Sequence, residues 1–104
     1  MPHKAKLSIL LLSALLCVNS WAAEKPSFTL AWSIYVGWMP WYYGDAEGIV
    51  NKWADKYDIS IDVVQINDYI ESINQYTAGA FDGCSMTNMD ALTIPAVGGV
   101  DSTA

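Results

Sequence analysis

Four large rings fall within Trp38-Met-Pro-Trp-Tyr-Tyr43, just after a run of β type that ends at Gly37. Flat rings hold planar or cationic ligands, and a cation–π contact is worth roughly 0.5–2 kcal/mol. The plain alternative is a helix start packed into the core. A turn of this size cannot bury Trp38, Trp41, Tyr42 and Tyr43 together, so part of the set is expected at an open edge. A second candidate is Asn67-Asp68, a polar pair at the end of another β-type run. In an open α/β sheet ligands bind outside the carboxyl ends of the strands. Asp68 is read more readily as a helix cap, while Asn67 precedes the cap and is freer. The third is Ser85-Met-Thr-Asn-Met-Asp90. Backbone N–H groups at a helix start, with the hydroxyls of Ser85 and Thr87, can hold carbonyl or oxyanion oxygens. Asn88 can donate and accept, and Asp90 can meet a cationic or urea-like N–H group; capping is again the alternative.

Other chemistry is poorly supplied. The single histidine is His3, so no imidazole is on hand downstream for acid–base work or metal ligation. Cys84 has nothing to activate it and reads as a small inert hydrophobe. The glycines form neither a dinucleotide fingerprint nor a phosphate loop, and no serine sits in a G-x-S-x-G setting. No cofactor is expected.

The elements that must position these groups alternate. Phe28 to Val36 is rich in aromatic and β-branched residues and reads as a strand buried on both faces. Gly37 and Pro40 break it. Asp45 to Tyr57 reads as a helix with Ile49, Val50, Trp53 and Tyr57 on one face. Ile59 to Ile66 is the second strand. Asn67 and Asp68 open a second helix, in which Asp68 and Glu71 have capping-box spacing and Gly79 is the stop. Phe81 to Met86 is a short third strand. A third helix, capped by Thr87 and Asn88, runs through Leu92 and Ile94, and Pro95 with the glycines at 98 and 99 closes it. Strand and helix alternating three times predict an α/β fold, a parallel sheet with flanking helices.

The ends and the charge set the context. His3, Lys4 and Lys6 precede an apolar run from Leu7 to Val18, which is short of the roughly 20 residues a membrane span needs. Ser20 and Ala22 fit a small-x-small cleavage rule, so residues 1–22 read as a signal peptide cut before Ala23. Leu16 is too large for a lipobox at Cys17. Residues 23–104 then keep one cysteine, Cys84, and no internal disulfide. They carry three lysines, no arginine and eleven acids, a net charge of −8. Such a surface should repel nucleic acid and anionic bilayers, and no stable membrane insertion is expected after cleavage. The remaining length suits one small domain at best. The close, Gly98-Gly-Val-Asp-Ser-Thr-Ala104, reads as the lead into another element, so a truncated chain is expected.

Several segments carry a family resemblance. The export signal, Phe28-Thr-Leu-Ala-Trp-Ser33, the aromatic turn, Ile61-Asp-Val-Val-Gln-Ile66 and Tyr76-Thr-Ala-Gly-Ala-Phe-Asp-Gly83 resemble bacterial periplasmic substrate-binding proteins of ABC importers. The nitrate/sulfonate/taurine-type family is the most similar branch. Val36-Gly-Trp-Met-Pro-Trp41, Gln65-Ile-Asn-Asp-Tyr69 and Met86-Thr-Asn-Met-Asp-Ala-Leu92 look like its urea-carboxylase-associated subgroup. The resemblance implies a two-lobed type II binding fold, of which residues 23–104 would be the N-terminal part of the first lobe. It implies a periplasmic protein that is not an enzyme and that hands a small-molecule ligand to a membrane permease. The expected guest is a small polar nitrogen compound, urea- or guanidine-like, held by Trp38, Trp41, Asn67, Asp68, Thr87, Asn88 and Asp90. A taurine, aliphatic sulfonate or nitrate ligand is the alternative within transport. From another class, the same fold serves exported enzymes of thiamine-precursor type, which would need a paired base and nucleophile. A Trp-rich glycan-binding module is a third reading, but such modules are usually all-β.

Overall fold

The computed structural model describes residues 22–103. The expected signal peptide, Cys17 included, therefore lies outside the described residues apart from Ala22. The elements follow in the order β1 (Ser27–Trp32), a 3-10 turn (Val36–Trp38), α1 (Met39–Ala46), α2 (Ile49–Lys56), β2 (Ser60–Gln65), α3 (Tyr69–Thr77), β3 (Gly83–Cys84) and α4 (Asn88–Val97). No helix among the described residues is long and apolar enough to cross a membrane.

The sheet has three parallel strands in the order β2-β1-β3. β1 pairs with β2 along its whole length, from Ser27 opposite Ser60 to Trp32 opposite Gln65. On its other side only Leu30 and Ala31 face β3, opposite Gly83 and Cys84. Asp82 prolongs that short ladder: its N–H donates to the Thr29 carbonyl at 3.0 Å, and its carboxylate accepts the Thr29 N–H at 2.8 Å. Ser85 N–H donates to the Ala31 carbonyl at 2.9 Å, which fixes the chain where it leaves β3. The chain steps from β1 to β2 on one side, then crosses to β3 on the other. The carboxyl ends of β1 and β3 are thus a topological switch point, where an open sheet leaves a crevice.

Side chains alternate across the sheet. Ala31 and Ser33 face α3, where Ser72 and Ile73, with Pro95 of α4, complete a fully buried core. Within it the Ser33 and Ser72 hydroxyls meet at 3.3 Å, as buried polar groups must. Trp32 faces the other way, 3% exposed, with Tyr42 of α1 tilted against it at 6.1 Å between ring centroids.

Three boundaries differ from the sequence reading. The first strand stops at Trp32 rather than Val36, because β2 offers ladder partners only as far as Gln65 and Ile66. Ile34 and Val36 are 56% and 92% exposed, apolar residues in a turn. The following helix begins at Met39 instead of Asp45, with Pro40 in its first turn, where a missing N–H costs nothing. It is also split: Gly48 takes φ +69, the left-handed region open to glycine, and turns the chain from α1 into α2. Finally, β3 is two residues long, not six, and α4 runs through Pro95 to Val97 and ends at Gly98, one of the expected stops.

Candidate functional site

A cavity of about 470 Å³ opens at the carboxyl edge, beside β1 and β3. Leu30, Asp82, Gly83, Cys84 and Ser85 form its strand wall. Trp38 and Trp41 stand on one side, and Thr87 and Asn88, at the start of α4, on another. Its size is within the usual range for small-molecule sites, about 300–1,000 Å³.

Each wall has a local cause. The turn after β1 lifts Trp38 over the edge, and α1 presents Trp41, 36% exposed, one turn on. The other two rings of the turn go elsewhere: Tyr42 packs on Trp32, and Tyr43 is exposed. Trp38 is held by other rings. It stacks on Tyr69 at 4.9 Å with 23° between planes, and Tyr35 meets it edge-on at 5.1 Å.

The far wall is a capped helix start. The Thr87 hydroxyl accepts the Asp90 N–H at 3.2 Å and donates to the Asp90 carboxylate at 2.7 Å. The Tyr69 hydroxyl donates to the same carboxylate oxygen and accepts the Thr87 N–H at 2.9 Å. Hydrogen bonds from Thr87, then Tyr69, hold the Asp90 carboxyl below the ordinary carboxylate value. Burial, with the bond to Asp90, pushes the Tyr69 phenol up. Asp90 is thus engaged in the cap and is not part of the cavity wall. The carboxylate in that wall is Asp82.

Asn88 accepts the Met89 N–H through its Oδ1 at 2.9 Å, which leaves its NH₂ group as a donor. Ser85 Oγ is buried and has no hydrogen-bond partner among the described residues. Its burial keeps it out of reach of the cavity's interior, so Ser85 contributes to the wall rather than to a polar contact there. Cys84 Sγ lies 3.6 Å from Ser72 Oγ, and burial raises its thiol pKa, the condition of an unreactive cysteine.

The structure therefore brings Trp38, Trp41, Thr87 and Asn88 of the expected residues to one cavity. Asn67 and Asp68 are exposed and outside it. Asn67 Oδ1 accepts from Gln65 Nε2 at 2.8 Å, and Asp68 Oδ1 caps α3 by accepting the Glu71 N–H at 3.0 Å. Residues brought in beyond the expected set are Ser85 and Asp82 in the wall and Tyr69 behind it. Ser85 had a signal in sequence, its hydroxyl beside a helix start. Asp82 falls inside the expected third strand, Phe81 to Met86, and Tyr69 inside the expected second helix, and no spacing marks either for the site.

A second cavity, about 360 Å³, lies between α1, α2 and β2. Pro40, Trp41, Gly44, Ile49, Val50, Trp53 and Ile61 line it, with no polar side chain other than the indoles. Trp41 is common to both cavities. No group of three or more His, Cys, Asp or Glu is placed to hold a metal among the described residues. No protein-family model, no curated protein and no solved structure matches the chain.

Proposed function

We propose that this chain belongs to the first lobe of a type II solute-binding protein, exported to the periplasm, which captures a small polar nitrogen compound for a membrane permease of an ABC importer. The observation that carries the reading is the cavity at the sheet's switch point, lined by Trp38, Trp41, Thr87 and Asn88. Ligand cavities of open parallel sheets sit at that place. The Asn88 NH₂ group offers a donor to a carbonyl oxygen, Asp82, whose Oδ2 is taken by the Thr29 N–H and hydroxyl, keeps Oδ1 for an N–H group, and Trp38 and Trp41 give planar faces. A urea-like guest presents both the oxygen and the N–H donors, and a guanidinium presents N–H donors and charge for Asp82. No feature of the cavity pairs a base with a nucleophile, so a binding role fits better than an exported enzyme of thiamine-precursor type.

A sulfonate or nitrate guest is the second reading, favoured by the donors at the start of α4. Calorimetric titration of the full chain with urea, guanidinium, taurine and ethanesulfonate separates the two. Saturable heat with urea or guanidinium, weakened in Asn88→Ala, is the expected result. Binding of a sulfonate alone would overturn the ligand assignment, and no binding of any of the four would overturn the function.

A further inference from the structure

Tyr69 touches the segments that follow all three strands. It opens α3 directly after β2. Its ring stacks on Trp38 and meets Tyr35 edge-on at 5.6 Å, both from the turn after β1. Its hydroxyl accepts the Thr87 N–H at 2.9 Å and donates to the Asp90 carboxylate, both from the segment after β3. A phenol has one proton to give and lone pairs to receive, so both bonds are satisfied at once.

Thr87 and Asp90 bond to each other at 3.2 and 2.7 Å, but the Thr87 N–H, which a capping box gives to the acid, goes to the Tyr69 hydroxyl instead, so Tyr69 completes the cap of α4 while its ring holds Trp38. Trp38, in turn, has little else to orient it. The 3-10 turn that carries it has no side-chain cap and no buried residue, and Val36 beside it is 92% exposed. Its ring is set by Tyr35 and Tyr69, and Tyr35 is itself 54% exposed.

We propose that Tyr69 is the positioning residue of the carboxyl-edge cavity, holding the Trp38 ring and the start of α4 in one fixed relation. The assignment rests on the reading of that cavity as a ligand site. Tyr69 is not in the cavity wall and touches no guest; it acts through Trp38 and Thr87. A wall ring already held in place loses less freedom when a guest arrives, which is the general advantage of preorganisation.

Two variants divide its two functions. Tyr69→Phe keeps the ring stack and removes both hydroxyl bonds. Tyr69→Leu removes the stack as well. Near-ultraviolet circular dichroism reports the Trp38–Tyr69 pair, and thermal unfolding without urea or guanidinium reports the fold. Tyr69→Leu is expected to lose a dichroic band that Trp38→Phe also loses, and to change nothing further in the Trp38→Phe background. Tyr69→Phe is expected to bind urea or guanidinium about tenfold more weakly than the parent chain, with its dichroic band retained. Tyr43→Phe, at an exposed ring outside the cavity, serves as the control for both readouts. Identical dichroism in Tyr69→Leu and the parent would overturn the proposal, as would unaltered affinity in Tyr69→Phe. Should the parent chain bind neither probe, the ligand reading falls. The dichroic comparison still decides whether Tyr69 orients Trp38.

Discussion

The two faces of the sheet are built differently. On the α3 side, Ala31, Ser33, Ser72, Ile73 and Pro95 are fully buried or close to it, and the two serine hydroxyls pair with each other. On the α1–α2 side, Trp32 is covered, but Phe28, Ile49 and Trp53 remain 42–48% exposed around an apolar cavity. The first face is a packed core. The second is a set of large apolar side chains that meet without closing. The carboxyl edge joins both faces. There polar contacts and stacked rings, not apolar burial, hold the chain.

The contrast predicts unequal costs for similar truncations. Ile73→Ala empties a closed site and is expected to destabilise the chain by about 2–5 kcal/mol. Trp53→Ala removes a far larger side chain from the open face and is expected to cost about 1 kcal/mol or less, because much of that ring is already in water. Thermal unfolding of both variants checks this. Equal losses would mean that the open face closes in solution.

A smaller effect separates two adjacent residues. Asp68→Ala removes the cap of α3 and is expected to cost about 1 kcal/mol. Asn67→Ala, whose side chain meets only Gln65, should fall within about 0.5 kcal/mol of the parent. The same unfolding measurement reads both, and a larger loss at Asn67 would give it a role the fold does not explain.

The smallest effect is in pH. Asp90 is held below its ordinary value of 3.8, so its contribution is complete above that pH and is lost as pH falls through the lowered value. Tyr69 is raised above 10.0, so its contribution is complete below pH 10 and is lost as pH rises through the raised value. The stability difference between the parent and Tyr69→Phe should be flat from about pH 5 to 9 and shrink outside that window. The residues lining the apolar cavity include no titratable group, so the parent and Trp53→Phe should differ by the same amount at every pH from 3 to 9.

Much of this architecture is legible in the sequence wherever a local signal decides. Alternating Ile61, Val63 and the Asp68–Glu71 spacing mark β2 and the start of α3 without any tertiary information. The turn after β1 is less legible. Ile34 and Val36 have strand chemistry, but a strand ends where its partner ends, and that limit lies in β2. Pro40 can break an element or begin one, and the ladder's end decides which. Pro95 lies inside α4 because the buried position it fills against α3 outweighs the lost backbone bond. Within the site, aromatic and hydroxyl residues near strand ends were visible as types. The exchange of Asp90 for Asp82, and the place of Tyr69, depend on which loops meet across the sheet edge. No spacing along the chain encodes that.

The central claim is that the carboxyl-edge cavity, not the apolar one, receives a small polar guest. Amide and indole N–H chemical shifts of the full chain, followed by NMR during addition of urea and then of guanidinium, test it directly. The account predicts saturable shifts at Trp38, Trp41, Ser85 and Asn88 with Trp53 and Ile61 unmoved. Shifts centred on Trp53 and Ile61, or small unsaturable shifts spread over the whole chain, would contradict it.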